Sequence, residues 1–413
     1  MSGRTVTACR FCKAPLEFSV LDLGEQPFSN SYPRPGEVAL EKRYPLHVRL
    51  CTTCFLVQTD YDAPPSEIFS GDYAYFSSYS QSWVEHARRY ADAMTERLHL
   101  NPGSRVVEIA SNDGYLLQHF LSHGIPCLGV EPTRGTAEAA REKGVPTEIM
   151  FFGEAAAKEL LARGHGADLV VANNVLAHVP GIADFVRGFS VLLKPEGVAT
   201  FEFPHLAHLI ARNEFDTIYH EHYFYLSLLA VERIFRDCGL RVLDVDQIAT
   251  HGGSLRVFAC RGDASHEELP GVAKVRAVER ELGLNETAGY GGLMPAVDSV
   301  RKQTRAFFHS AHSQNKIVAA YGAAAKGSTF LNTCKLTTKD IVLVADANPH
   351  KQGRLMPGSH IPIVAPADLR AQQPDYVLIL PWNLKREITS QLEYIKGWGG
   401  RFVTAIPQLE VSP

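Results

Sequence analysis

From Arg105 to Arg261 the chain alternates short buried-type strands with helices, and the alternation stops only at its end. RVVEIAS (105–111) reads as a strand and GYLLQHFLSHG (114–124) as a helix stopped by Gly124. CLGVEP, EIMFF, DLVVAN and VATFEFP repeat the strand signal, with AEAAREKG, EAAAKELLARG and IADFVRGFSVLL as helices between them. Parallel strands need crossovers of this kind, so the pattern predicts a doubly wound α/β sheet. SLLAVERIFRDCG follows as a helix, with Ser227 as N-cap and Gly239 as its stop. The last two strands, LRVLDVDQI and SLRVFACR, are separated only by a short loop with Gly252 and Gly253. No helix fits there, so this pair must be antiparallel. The expected fold is a seven-stranded sheet whose last pair is antiparallel.

At 413 residues the chain exceeds one ordinary core. It divides into a cysteine-bearing module (1–75), the doubly wound domain (76–263), a charged helical connection (264–315) and a smaller Rossmann-like α/β unit (316–413). A net charge of −4 favours neither nucleic acid nor an anionic membrane. No apolar run is long enough to span a bilayer, and MSGRTVTACRFC lacks the apolar stretch of a secretion signal. A cytoplasmic protein is expected, with no membrane or nucleic-acid partner. No segment reads as a dedicated dimerisation helix, and a monomer is expected.

Four of the eight cysteines form two pairs, Cys9/Cys12 in CRFC and Cys51/Cys54 in CTTC. Cytosolic thiols stay reduced, so paired cysteines point to metal before disulfides. Four thiolates at tetrahedral distance suit a structural zinc and leave no open position for catalysis. A nucleic-acid-binding ribbon would need a more basic module.

VVEIASNDGYLL (106–117) is a strand, a tight turn and a helix, the place where an α/β sheet binds nucleotides. In place of a dinucleotide G-x-G-x-x-G stands Glu108-x-Ala110-x-Asn112-x-Gly114 followed by Tyr115. Small residues at 110 and 114 let a ligand approach the backbone. Glu108 can hold a cationic amino group. Glu131, ending the second strand, can accept ribose hydroxyls. Phe151 and Phe152 end the third strand, where they could flank an adenine; Asn173 and Asn174 end the fourth. With the strand order, this motif resembles the class I S-adenosylmethionine-dependent methyltransferases, although Ala110 and Asn112 stand where glycines are usual.

VAAYGAAAKGST (318–329) opens a second helix after a strand. Gly322-x-Ala324-x-x-Gly327, with Asp346 ending the next strand, approximates an NAD turn and makes a nucleotide-sugar oxidoreductase the alternative function. Lys326, Ser328 and Thr329 suit a diphosphate better. Trp382 and Asn383, in LPWN, end a strand on the same rim and offer a stacking face and an amide.

TIYHEHYFY (217–225) lies after the fifth strand, on the substrate rim. If extended, it puts Tyr219, Glu221 and Tyr223 on one side and His220 and His222 on the other; as a helical turn it clusters Tyr219, His222 and Tyr223. Two histidines are too few for a metal, and a base beside a methyl donor is what carbon methylation needs. A proton alpha to a carbonyl must leave before carbon can attack. The cysteine pairs, ASNDGYLL, NNVLAHV, YHEHYFYLS and GAAAKGST together resemble the sugar C-methyltransferases of antibiotic deoxysugar biosynthesis. The likeness is to C-3-methyltransferases acting on TDP-linked 4-keto-deoxysugars, and it covers essentially the whole chain. It implies an S-adenosylmethionine-dependent enzyme with a structural zinc and a TDP-4-keto sugar held between the central and C-terminal domains. His222 becomes the base, with Tyr219 and Glu221 as partners, and Tyr219 the competing base. His178 and Tyr73 face the sugar. Tyr75, Ser77, Ser80, Lys326, Ser328, Trp382 and Asn383 bind substrate. Whether the sugar carries a 3-amino or a 3-hydroxy group is left open.

Overall fold

The computed structural model describes residues 4–62 and 76–413; Tyr73 and Tyr75 lie outside these. The N-terminal module contributes β1 (Arg4–Thr5), β2 (Phe18–Gln26), β3 (Tyr44–Leu50), β4 (Val57–Thr59) and β5 (Tyr61–Asp62). β1 pairs with β5, while β2, β3 and β4 form an antiparallel sheet.

The central sheet is built from β6 (Val106–Ile109), β7 (Cys127–Val130), β8 (Thr147–Glu148), β9 (Ala167–Asn173) and β10 (Leu193–Pro204). A two-residue strand, β11 (Phe224–Tyr225), leaves this domain and pairs with β4, so the segment between the helices Leu206–Ala211 and Leu228–Asp237 is stitched into the N-terminal module. β12 (Leu240–Ile248) and β13 (Ser254–Arg261) then close the central sheet in the order β12-β13-β10-β9-β6-β7-β8. β13 is antiparallel to both neighbours and the remaining pairs are parallel, as the short 249–253 loop requires. Ser227 caps the helix Leu228–Asp237 by accepting from Ala230 N at 3.2 Å. The third strand is shorter than EIMFF suggests: only Thr147–Glu148 pair, because β8 is an edge strand with β7 as its sole partner in the sheet.

The connection holds helices Pro270–Glu281 and Leu293–Ser313. Buried Glu279 accepts from His205 Nε2 at 2.7 Å and from Leu229 N at 2.9 Å, so the connection caps the helix that follows the 217–225 loop. The C-terminal unit adds β14 (Val318–Tyr321), β15 (Val344–Ala345), β16 (Ile363–Val364), β17 (Tyr376–Ile379), β18 (Arg401–Thr404) and β19 (Glu410–Ser412), in the order β16-β15-β14-β17-β18-β19. All its pairs are parallel except the last. No helix among the described residues is long and apolar enough to cross a membrane.

Candidate active site

Glu108 sits on β6, 1% exposed. Burial pushes its carboxyl well above the usual range, against a hydrogen bond with Tyr115, and the nearby Glu131 and Asp113 add to the rise. Its Oε2 has no hydrogen-bond partner among the described residues. An orphaned buried carboxylate oxygen is costly, and an ammonium group would supply both the donor and the opposite charge. The residue therefore fits the amino group of S-adenosylmethionine. The turn beside it is held in the left-handed region at Ala110 (φ 56°), Asn112 (φ 50°) and Gly114 (φ 75°). For alanine that conformation costs about 1–2 kcal/mol, strain of the kind found at ligand sites. Gly114 is also needed for packing, since a Cβ there would lie 2.9 Å from Val145 Cγ2.

Glu131 braces this turn, accepting from Asn112 N at 2.9 Å and Thr133 N at 2.8 Å. Asn112 Oδ1 in turn accepts from Ser77 N at 2.9 Å, which places Ser77 over the 110–114 turn. Ser80 caps the helix Gln81–Arg97. Asn173 Oδ1 is buried without a partner among the described residues at the end of β9, and Asn174, at φ 54°, donates its N–H to Glu202 O at 2.7 Å. The two phenylalanines part: Phe152 turns inward onto Phe185 and Phe189, and Phe151 remains 83% exposed. Sequence reasoning missed Trp83 and His86, three apart on the first turns of Gln81–Arg97. Trp83 stacks on His86 and Tyr115, and His86 meets buried Glu202, itself paired with Arg256 at 2.6 Å. Their spacing on one helix face was the available signal. Glu108→Gln is expected to raise the Kd for S-adenosylhomocysteine about 10- to 100-fold in calorimetric titration, by loss of a charge-assisted contact.

TIYHEHYFY combines both geometries weighed above. His222 N donates to Tyr219 O at 2.9 Å, closing a turn, and β11 follows as strand. The Tyr219 and His222 rings lie 4.0 Å apart, and His178 approaches His222 at 4.7 Å between centroids. His222 Nδ1 faces Thr217 O at 2.9 Å, and a carbonyl can only accept. In the neutral ring this contact puts the proton on Nδ1 and the lone pair on Nε2. His178 Nδ1 likewise donates to Glu221 O at 2.7 Å, and burial lowers its pKa.

The Glu221 carboxylate is turned the other way, onto Ser29 Oγ at 3.1 Å and Asn30 Nδ2 at 3.0 Å. Burial raises its pKa. It joins the loop to the N-terminal module instead of facing an imidazole. His220 does the same: its Nε2 lies 3.2 Å from Pro45 O, and its ring meets Phe28 edge-on. Burial lowers the His220 pKa to about 4. Its neutral form thus stabilises the fold above the ordinary value near 6.5, and that contribution is lost as pH falls toward 4. The acid slope of Tm between these values should flatten in His220→Gln. Only the difference from wild type isolates it, because Glu214 (raised to about 7) and Asp216 (about 6) titrate with opposite sign.

The four paired cysteines converge, their Sγ atoms all lying within 4.8 Å of one another. Cys9 and Cys54 are 3.6 Å apart and Cys12 and Cys51 3.4 Å, close to the roughly 3.8 Å edge of a zinc–thiolate tetrahedron. Both loops are the same turn: Lys13 N returns to Cys9 O and Phe55 N to Cys51 O, with Lys13 at φ 65° and Phe55 at φ 59°. Two like turns face each other with their thiols inward, a structural zinc site.

Over 410 residues, 99% of this chain and 97% of the relative, the sequence is 36% identical to C-methyltransferase NovU from Streptomyces niveus. The chain belongs to the C-methyltransferase family. Family models match three segments: "Putative zinc binding domain" over 9–69, "Methyltransferase domain" over 83–245 and "C-methyltransferase C-terminal domain" over 249–407. The ubiquinone biosynthesis O-methyltransferase of Burkholderia pseudomallei (strain 1710b) is 27% identical over 182 residues, 39% of this chain and 75% of that one. Magnesium protoporphyrin IX methyltransferase (ChlM) from Synechocystis PCC 6803 with bound SAM matches at 16% identity and TM-score 0.33, over 44% of this chain and 79% of that one. The chain is a C-methyltransferase with a zinc-binding domain, and its Glu108 turn fits S-adenosylmethionine as the methyl donor.

The C-terminal Gly-rich turn of this methyltransferase is packed against its own sheet. A Cβ on Gly322 would lie 2.5 Å from Pro381 Cδ, and one on Gly327 2.9 Å from Leu380 Cδ1. Asp346 is engaged within the turn, accepting from Ala323 N at 2.6 Å. The glycines thus answer to packing, and nothing here supports the NAD alternative. Lys326, Trp382 and Asn383 do come together: Lys326 Nζ lies 2.8 Å from Asn383 Oδ1 and 4.6 Å from the Trp382 ring centroid. Ser328 points elsewhere, donating to Ser29 O at 3.0 Å.

Proposed function

We propose that the enzyme methylates C-3 of a TDP-linked 4-keto-deoxysugar, with His222 as base. The observation that carries this is the Nδ1–H···O contact from His222 to Thr217, which leaves the basic nitrogen on the side of the ring that Nδ1 does not occupy. In this reading Nε2 takes the C-3 proton, the electron pair passes into the C-4 carbonyl, and Tyr219 or His178 steadies the enolate oxygen. C-3 then attacks in line. Bound S-adenosylmethionine supplies an electrophilic methyl group and leaves as S-adenosylhomocysteine. Glu108 anchors the donor, and Lys326 and Asn383 meet the nucleotide end. The substrate is a small molecule, and the enzyme acts in the cytoplasm as a monomer.

The test is exchange of the C-3 proton in deuterated water, with a TDP-4-keto-deoxysugar and S-adenosylhomocysteine in place of the donor. Wild-type protein should exchange it, and His222→Asn should not. Exchange that persists in His222→Asn but stops in Tyr219→Phe would transfer the role to Tyr219. Exchange at the other carbon beside the ketone would move the methylation site.

A further inference from the structure

The C-terminal unit grips the base-bearing loop at two points. Trp382 Nε1 donates to Asp216 Oδ2 at 2.8 Å, and Thr329 Oγ1 donates to Ile218 O at 2.8 Å. The residue between them is Thr217, whose carbonyl receives His222 Nδ1–H. Asp216, Thr217 and Ile218 are all buried. Their turn, Phe215–Thr217, is three residues long and closed by Ile218 N to Phe215 O at 3.0 Å. One short 3₁₀ turn has little power to hold a peptide plane by itself.

The indole is held firmly. A Cβ on Gly252 would lie 2.7 Å from Trp382 Cη2 and 3.0 Å from Glu214 Oε1, so the 249–253 loop walls off that edge of the ring. Lys326 covers a face of the ring and takes its countercharge from Asp216 and Glu214. Trp382 is therefore occupied as a hydrogen-bond donor to the loop.

We propose that Trp382 and Thr329 are positioning residues for methyl transfer, clamping residues 216 and 218 so that the Thr217 carbonyl sets the tautomer and tilt of His222. The C-terminal unit then serves chemistry as well as substrate binding, and the clamp transmits its placement to the base. The functional part of this rests on His222 being the base.

The experiment uses full-length, zinc-loaded protein with nitrogen-labelled histidine. His222→Asn assigns the His222 ring signals. Trp382→Phe keeps an aromatic ring and removes the N–H; Thr329→Val removes the hydroxyl; Thr329→Ser keeps it. Wild type should show His222 protonated at Nδ1. The Trp382→Phe/Thr329→Val pair should mix the two tautomers and lower kcat about tenfold or more, with KM for the sugar nucleotide within about twofold. Thr329→Ser should restore both signals and rate. Unchanged His222 nitrogen shifts in the double variant overturn the clamp. So does a raised KM at unchanged kcat, which would make Trp382 a nucleotide contact. If the shifts move while His222→Asn keeps full activity, the clamp stands and the base assignment falls.

Discussion

His222→Asn is expected to lower kcat by about 10²- to 10⁴-fold, the usual worth of a general base, while KM and the Kd for S-adenosylhomocysteine stay within a few-fold. Asparagine suits the experiment because its Nδ2–H can still donate to Thr217 O, now 2.9 Å from His222 Nδ1. The loop keeps its anchor, but nothing replaces the lone pair at Nε2. Carbon is a poor nucleophile until its proton leaves, so there is no cheap bypass as there would be for an oxygen or nitrogen acceptor. His220→Asn should cost turnover far less, because that ring faces Pro45 O and Phe28 in the N-terminal module. Steady-state kinetics on the three proteins decides. Equal losses would mean that His220 acts through the placement of the loop, and unchanged turnover in His222→Asn would remove it from the base role.

Cys51→Ser should have the other large effect, on stability and activity together. Zinc bound by small modules carries an apparent free energy of about 10–16 kcal/mol, so a site with three thiolates loses much of what holds the fold. The consequence reaches the base by a short path. β4 pairs with β11 directly after the turn that holds His222, the proposed base. Glu221 hangs on Ser29 and Asn30, and His220 on Pro45. A displacement of about 1 Å at the base can cost about 10²-fold in rate. Metal analysis should therefore find zinc lost, calorimetry a much lower or separate early transition, and kinetics a fall in kcat of that order. Binding of S-adenosylhomocysteine should survive, since Glu108 lies in the other sheet and Ala110 and Gly114 in the turn that follows it. Full activity in zinc-free protein would show that the loop holds itself.

The central sheet was legible strand by strand except at its β8 edge. Strand periodicity, glycine stops at 124 and 239, and the shortness of 249–253 are local properties, and local properties survive in a linear text. EIMFF misled because edge strands are trimmed by what lies beyond them, and Phe152 found better packing against Phe185 and Phe189. GAAAKG misled in another way: glycine needed for close packing on Pro381 and Leu380 looks the same in sequence as glycine needed for a ligand.

By itself the sequence determined the fold class, the four thiolates of the zinc site and the family resemblance, because each depends on residue type at short spacing or on pattern along the chain. Only the tertiary structure decided which histidine of TIYHEHYFY faces which domain. His220 and Glu221 are drawn to the N-terminal module, whereas His222 is drawn to Thr217, Tyr219 and His178. Those partners are up to 192 positions apart in the chain. What selects among adjacent titratable residues is burial and the direction of a few hydrogen bonds, and neither exists until distant segments meet.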